Sequence, residues 1–201
     1  MYDEYEGSQP RLQQLNSNIA LIALGSNASS VWGDPLQTIQ KASLEVTNRV
    51  GFKSKCSPIY QTPAFPAGAG PDFCNAVIRI GTNLPALDVL RILHEIEADA
   101  GRDRTVRWGQ RTLDLDLLAL GDLVAPDLDG YRHWRDLAPD QQAKTAPQTL
   151  ILPHPRLQDR SFVLVPMADV APDWVHPVLQ QTVVEMRDAR PADENASVVA
   201  L

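Results

Sequence analysis

Asp114 and Asp116 stand two positions apart in RTLDLDLLALGD, residues 111–122, a stretch whose leucines ask for a buried strand. One uncompensated buried carboxylate is already costly, so two in the same strand need a positive partner. Strand side chains alternate faces, which puts Asp114 and Asp116 on one face with Thr112 and leaves Leu113, Leu115 and Leu117 for the other. The two residues are then about 7 Å apart at Cα, twice the rise per residue. Carboxylates without nearby histidine or cysteine suit a hard divalent cation, and magnesium typically combines one or two of them with phosphate oxygens and water. Two ions on such a pair would lie about 3.5 to 4 Å apart, the spacing used for in-line displacement at phosphorus. Taken alone, the pair would also suit an edge strand with a solvated polar face. The apolar run continuing through Leu118 and Leu120 weighs against that alternative.

Arginines surround this stretch. Arg102, Arg104, Arg107 and Arg111 fall within ten positions immediately before the aspartates. Arginine is favoured where planar, bidentate recognition of phosphate is needed, although loop arginines after a helix are often simply solvated. HPRLQDR adds His154, Arg156 and Arg160, and a histidine met alone in this way is more often structural than a ligand. A cationic patch beside an anionic one fits a ligand that brings both phosphate and metal. Asn75, inside the otherwise apolar strand expected over 72–82, is also a candidate, since a buried amide needs a partner.

These side chains must be positioned by a domain of ordinary composition. The 201 residues are 44% hydrophobic and 21% charged, sufficient for one domain with a proper core. The net charge of -7 argues against a nonspecific nucleic-acid binder. No apolar run is long enough to span a bilayer, and MYDEYEGSQP is acidic where a secretory signal would be basic and then apolar, so the expected compartment is the cytoplasm. The two cysteines, Cys56 and Cys74, form neither a zinc cluster nor a disulfide framework and are expected to be buried thiols on strands.

Periodicity gives the element order. Residues 1–17 lack a pattern and are expected to form a disordered arm. Ile19 to Leu24 forms a buried strand ended by Gly25-Ser26-Asn27. Asp34-Pro35 reads as an N-cap with proline at the first helical position, opening a helix over 35–49. Residues 51–62 are expected to form a strand, PAFPAGAGP a loop, and 72–82 a second strand. Ala86, Val89, Leu90, Leu93, Ile96, Glu97 and Ala100 recur at helical spacing, and Gly101 stops that helix. A basic loop then leads into the strand 111–120. The order β-α-β-β-α-β predicts a ferredoxin-like α/β (α+β) sandwich, an antiparallel sheet with helices packed on it. Residues 18–185 form the expected single domain, interrupted by a polar excursion at 122–149 and resuming with a short helix near 161–169. Residues 186–201 are expected to fray.

Five segments in this order carry a family resemblance: IALGSN (22–27), IYQTPAF (59–65), PDFCNAV (71–77), RWGQRTLDLDLL (107–118) and LPHPRLQDRSFVLVPM (152–167). Together they resemble 6-hydroxymethyl-7,8-dihydropterin pyrophosphokinase over residues 19–177, and the RWGQRTLDLD portion is the most specific. The resemblance implies transfer of the β,γ-pyrophosphoryl group of ATP to the hydroxymethyl group of the dihydropterin in folate biosynthesis, releasing AMP.

It also implies roles by position. Asp114 and Asp116 hold magnesium, two ions being expected, and act with Arg102 and Arg111 as the catalytic set. Arg102, Arg104, Arg107, Arg111, His154 and Arg160 line the triphosphate, with Glu97 and Leu117 also on the ATP side. Trp108 closes over both substrates. The pterin lies between Phe73 and Phe162, read at its polar edge by Asn75 and by Thr62, Pro63 and Phe65. A flat heterocycle favours aromatic faces on both sides with a few orienting polar groups, which is independent support, although either phenylalanine alone would pass for a core residue. ATP and the hydroxymethyldihydropterin are the expected partners, without nucleic acid or membrane, in a monomer or weak homo-oligomer.

Several positions depart from the family pattern. Phe73 replaces a frequent tyrosine, Pro155 replaces a frequent aromatic after His154, the arginine loop is one residue short, and the 122–149 excursion is long. Two other classes compete: a different magnesium-dependent nucleotide transferase on the same sheet, and a noncatalytic ferredoxin-like RNA-binding module. The second would need exposed aromatics on its central strands, and IALIAL and AVIRIGT contain none. No P-loop of the GxxxxGK[ST] type is present.

Overall fold

The computed structural model describes residues 18–64, 70–101, 112–138, 141 and 145–201. The expected arm at 1–17, Phe65 and the loop carrying Arg102, Arg104, Arg107, Trp108 and Arg111 lie outside the described residues.

Strand β1 (Asn18–Ser26) is the central organiser, because its alternating side chains serve two cores. Ala20, Ile22 and Leu24 join the cluster beneath α1 (Pro35–Val50) and α2 (Ala86–Asp99), while Leu21 joins a second cluster on the opposite face. Fully burying an aliphatic side chain of this kind contributes about 1.5 to 3 kcal/mol. Helix α1 begins as its sequence requires. Asp34 accepts from the Gln37 N–H at 2.8 Å, Gln37 Oε1 accepts from the Asp34 N–H at 3.0 Å, and Pro35 opens the first turn. Such a cap stabilises a helix by about 1 kcal/mol. Helix α2 ends at Gly101, whose φ of +80° suits glycine at a helix terminus.

The expected strand over 51–62 is two strands, β2 (Phe52–Cys56) and β3 (Tyr60–Thr62), both paired antiparallel with β4 (Phe73–Thr82). Ser57-Pro58 separates them, and Ser57 accepts the Val77 N–H on its hydroxyl at 3.0 Å. With β5 (Asp114–Leu120), the sheet runs β5-β1-β4-β3-β6, β2 pairing with β4, which is the ferredoxin-like arrangement expected from the element order. Both cysteines lie on strands, but Cys56 is exposed and Cys74 only half-buried, contrary to the expected burial. The five β2 side chains are all exposed, so strand location alone did not enclose Cys56.

The second face is covered by a helical layer, α4 (Ser161–Val170) and α5 (Val183–Asp188). The excursion contains α3 (Leu128–Asp136), capped by Asp127, which accepts from the Gly130 N–H at 2.8 Å. The tail, expected to fray, instead forms α6 (Ala192–Ala196) and β6 (Val199–Ala200), paired antiparallel with β3. The open edge of β3 supplies backbone partners that no local pattern in the tail reveals. Among the described residues, no helix is long and apolar enough to cross a membrane.

Helix α3 is anchored by a buried polar pair. Tyr131 and His176 are both 0% exposed, with Tyr131 Oη 3.0 Å from His176 Nε2. His176 Nδ1 accepts the N–H groups of Val178 and Leu179, so the neutral ring carries its proton on Nε2 and donates it to Tyr131. Burial, reinforced by the Arg135 charge, pushes the imidazole pKa down to about 4. An unfolded histidine titrates near about 6.5, so the unfolded chain binds the extra proton first as pH falls. Stability is therefore fully present above that value and is lost between about pH 6.5 and the folded pKa of about 4. Thermal midpoints should decline from pH 7 to 5, and less steeply in His176→Gln; equal slopes would remove His176 from this role.

Candidate active site

The pairing register collects the candidates on the face opposite α1 and α2. One cross-sheet row is Asp114, Gly25, Asn75, Tyr60, and the next holds Asp116, Ala23 and Val77. Phe73 and Thr62, paired with one another, are two residues beyond Asn75 and Tyr60 and so share their face. Leu113, Leu115 and Leu117 point the other way, into the α1/α2 core. Asp114 and Asp116 thus lie on the face opposite α1 and α2, as their parity predicts, and stay half-buried there.

Strand β5 is irregular just beyond the carboxylates. Ile22 pairs with Leu117 but Leu21 with Ala119, leaving Leu118 as an extra residue. This bulge returns Leu120 to the α1/α2 core while Leu118 and Ala119 face the other cluster. The Leu118 carbonyl accepts the His154 N–H at 2.8 Å, which fixes the chain carrying His154 to Arg160 against the strand of the aspartates. The outer side of β5 is braced by Glu97, 2% exposed, whose Oε1 accepts the Leu115 N–H at 2.8 Å. That contact lies between the two aspartates in sequence and holds the strand on which both are mounted.

His154 Nδ1 accepts the Arg156 N–H at 3.1 Å, which leaves the proton of the neutral ring on Nε2. Enclosure lowers its pKa most, Arg160 and Arg156 lower it further, Asp114 partly opposes them, and the result is about 3. His154 is therefore a neutral hydrogen-bond donor at physiological pH. The Arg160 guanidinium is 3.8 Å from the Asp116 carboxylate and lies over the Phe162 ring at 5.7 Å. Phe162, on the first turn of α4, keeps 39% of its surface exposed. Arg160 thus supplies positive charge at Asp116, as the isolated sequence required.

At the other end of the row, Asn75 is 6% exposed and donates through Nδ2 to Thr62 Oγ1 at 2.7 Å. Pro63 follows, exposed. Tyr60 donates to Asp169 at 2.7 Å, tying α4 to this end of the sheet, and burial with the Asp169 carboxylate pushes the phenol up to about 12.

The structure brings Asp114, Asp116, His154, Arg160, Phe162, Phe73, Asn75 and Thr62 to one face. It does not bring the Leu117 side chain there, which is 4% exposed in the opposite core, and Glu97 meets β5 from the α2 side. The sequence marks Gly25 and Ser26 as turn formers within the IALGSN segment and assigns neither a site role. Ser26, fully buried, donates to the Thr112 carbonyl at 2.6 Å and pins the approach to β5. No local pattern marks that role, since Thr112 is 86 residues away.

Among the described residues, no group of three or more His, Cys, Asp or Glu side chains is placed to hold a metal. Two carboxylates on an open face are nevertheless a donor set that magnesium accepts when phosphate and water complete its shell. The residues therefore fit a cation that binds together with a polyphosphate.

Comparison with known proteins bears on the family and the fold. The family model for 7,8-dihydro-6-hydroxymethylpterin-pyrophosphokinase matches residues 21–172. The 2-amino-4-hydroxy-6-hydroxymethyldihydropteridine pyrophosphokinase of Synechocystis sp. is 36% identical over 168 residues, covering 83% of this chain and 73% of that protein. The folic acid synthesis protein fol1 of Schizosaccharomyces pombe is 30% identical over 183 residues, covering 90% of this chain and 22% of that protein. In solved structures, Plasmodium falciparum HPPK-DHPS shares the fold with a TM-score of 0.56 at 16% identity, over 86% of this chain and 44% of that one.

Proposed function

The chain belongs to the 7,8-dihydro-6-hydroxymethylpterin-pyrophosphokinase family, and from that membership we propose how its residues move pyrophosphate from ATP to 6-hydroxymethyl-7,8-dihydropterin. It is an ATP-dependent diphosphotransferase of folate synthesis. The hydroxymethyl oxygen attacks the β-phosphorus, the bond from that phosphorus to the oxygen bridging to the α-phosphate breaks, AMP leaves, and the hydroxyl proton is released. Phosphoryl chemistry of this kind needs little covalent help, so positioning and charge stabilisation carry the acceleration.

Asp114 and Asp116 would hold Mg2+, two ions in this proposal, which when bound neutralises phosphate oxygens and orients the β-phosphorus. His154 donates Nε2–H to a phosphate oxygen, and Arg160 moves its charge from Asp116 toward the nucleotide. Phe162 and Phe73 present ring faces to the pterin, and Asn75, held by Thr62, reads its polar edge. Residues 18–185, with the tail through β6 completing the sheet, form the catalytic unit in this proposal, and the cytoplasm is its compartment. Arg102, Arg104, Arg107, Trp108, Arg111 and Phe65 join by resemblance alone, as do Glu97 and Leu117 on the ATP side. The single observation that carries the assignment is the shared face of Asp114, Asp116 and Asn75, separated only by β1.

Product analysis tests it. With Mg2+, ATP and hydroxymethyldihydropterin, the chain should release AMP and form the pterin diphosphate. Released inorganic pyrophosphate would instead mark nucleotidyl transfer and refute the assignment.

A further inference from the structure

Helix α4 begins with Arg160 at its N-cap and carries Phe162 in its first turn, and the site uses both. The N-cap position normally holds a side chain that accepts a first-turn N–H. A guanidinium has five donors and no acceptor, so Arg160 cannot cap the helix with the side chain that supplies charge to Asp116. The tail brings an acceptor instead. Ser161, 6% exposed and first in the helix, donates its hydroxyl to Glu194 Oε2 at 3.4 Å. Arg190 Nη2 holds the same carboxylate oxygen at 2.6 Å. A carboxylate beside the first turn of a helix is also favoured by the positive end of the helix dipole.

Glu194 stands on a fixed support. Its helix, α6, packs against α4, and Asn195 Nδ2 donates to the Arg187 carbonyl at 2.8 Å. Beyond it, β6 pairs with Tyr60 and Gln61, and the Leu201 N–H reaches the Ile59 carbonyl at 2.9 Å. One short segment thereby ties the strand that ends at Thr62 to the helix that starts beside Arg160. We propose that Glu194 is a positioning residue for pyrophosphoryl transfer: through Ser161 it sets the start of α4, and with it the placement of Arg160 at Asp116 and of Phe162 at the pterin. The inference rests on the site assignment above. Released from this contact, the start of α4 would populate arrangements in which Arg160 and Phe162 are displaced, and a substrate that binds only the aligned fraction loses affinity by that fraction. Bound substrate restores the alignment, so KM should move more than kcat.

The test is steady-state kinetics of the full chain beside thermal midpoints for wild type, Glu194→Ala, Glu194→Gln, Ser161→Ala and the Glu194→Ala/Ser161→Ala double variant. Glu194→Ala should raise KM for hydroxymethyldihydropterin roughly three- to thirtyfold, the scale of one lost helix cap, with kcat changed less than about twofold. Glu194→Gln, which keeps an acceptor for Ser161 but not the charge, should fall between wild type and Glu194→Ala. The double variant should be no worse than Glu194→Ala, because both changes cut one connection. Asp193→Ala removes an equal charge one residue away and should leave KM unchanged. Unaltered KM in Glu194→Ala, with or without a lower thermal midpoint, would overturn the inference, since Glu194 would then serve stability alone. Additive losses in the double variant, or an equal rise in KM from Asp193→Ala, would overturn it as well. If Glu194→Ala does not fold at the assay temperature, wild-type KM in both Glu194→Gln and Ser161→Ala has the same meaning. Phe162→Ala is the control for the underlying site. If it leaves KM for the pterin intact, the assignment of Phe162 itself fails and the inference with it; a large rise there beside unaltered Glu194→Ala rejects the role of the tail alone.

Discussion

Asp116→Ala is expected to lower AMP release by about 10³-fold or more at saturating substrates, since charge stabilisation by a bound cation contributes several kcal/mol and each 1.36 kcal/mol is tenfold in rate. The fold should persist. Asp116 keeps 38% of its side chain exposed, and its ion pair with Arg160, at 3.8 Å, is of the loose kind that stabilises a protein by about 0 to 1 kcal/mol. Removing the carboxylate should even relieve repulsion with Asp114, its neighbour on the same face. Rates of AMP formation beside thermal midpoints for wild type, Asp116→Ala and Asp116→Asn provide the check. The asparagine preserves shape and one oxygen but not charge, so it should fail nearly as badly as alanine. Turnover within tenfold of wild type in either variant would withdraw the metal assignment.

Tyr131→Ala is the second large effect, and it acts on stability. Tyr131 is 0% exposed in a helix whose other residues face mainly outward, and it couples the excursion to the segment around His176. Truncating a buried aromatic costs about 3 to 5 kcal/mol, and His176 would also lose the acceptor for its Nε2 proton. Tyr131→Phe removes only that acceptor and should cost about 1 to 3 kcal/mol. Urea unfolding should therefore rank wild type above Tyr131→Phe above Tyr131→Ala, with turnover retained wherever the chain remains folded. Coincident midpoints for wild type and Tyr131→Ala would show that α3 is not integral to the fold. The excursion is then a structural graft onto the ferredoxin-like sheet, fastened among the described residues by Tyr131 and by the Ala125–Leu152 backbone bridge.

Where the chain's own pattern is strong, it was legible. Asp34-Pro35 capped the helix it announced, and Gly101 ended the second. The alternation of β1 and the parity of Asp114 and Asp116 carried through to the observed faces. The tail and α3 were not legible, and for a shared reason. Val199 pairs with Gln61 and Tyr131 meets His176, so the partners that order these segments are distant in sequence. Cys56 was misplaced because strand membership says nothing about which edge is covered.

The sequence by itself determined the core β-α-β-β-α-β order and the two carboxylates on one side of a strand, because these depend on neighbours a few residues apart, and the family through five short motifs that each read locally. Only the tertiary structure decided that Asn75, Gly25 and Asp114 form one row, that the Leu118 carbonyl anchors the His154 segment, and that Arg160 reaches Asp116. Those juxtapositions depend on strand register and a bulge, and a slip of one residue would turn every side chain on a strand to the other face. Register is set by the collective burial of two cores, a long-range quantity that no local window of residues contains.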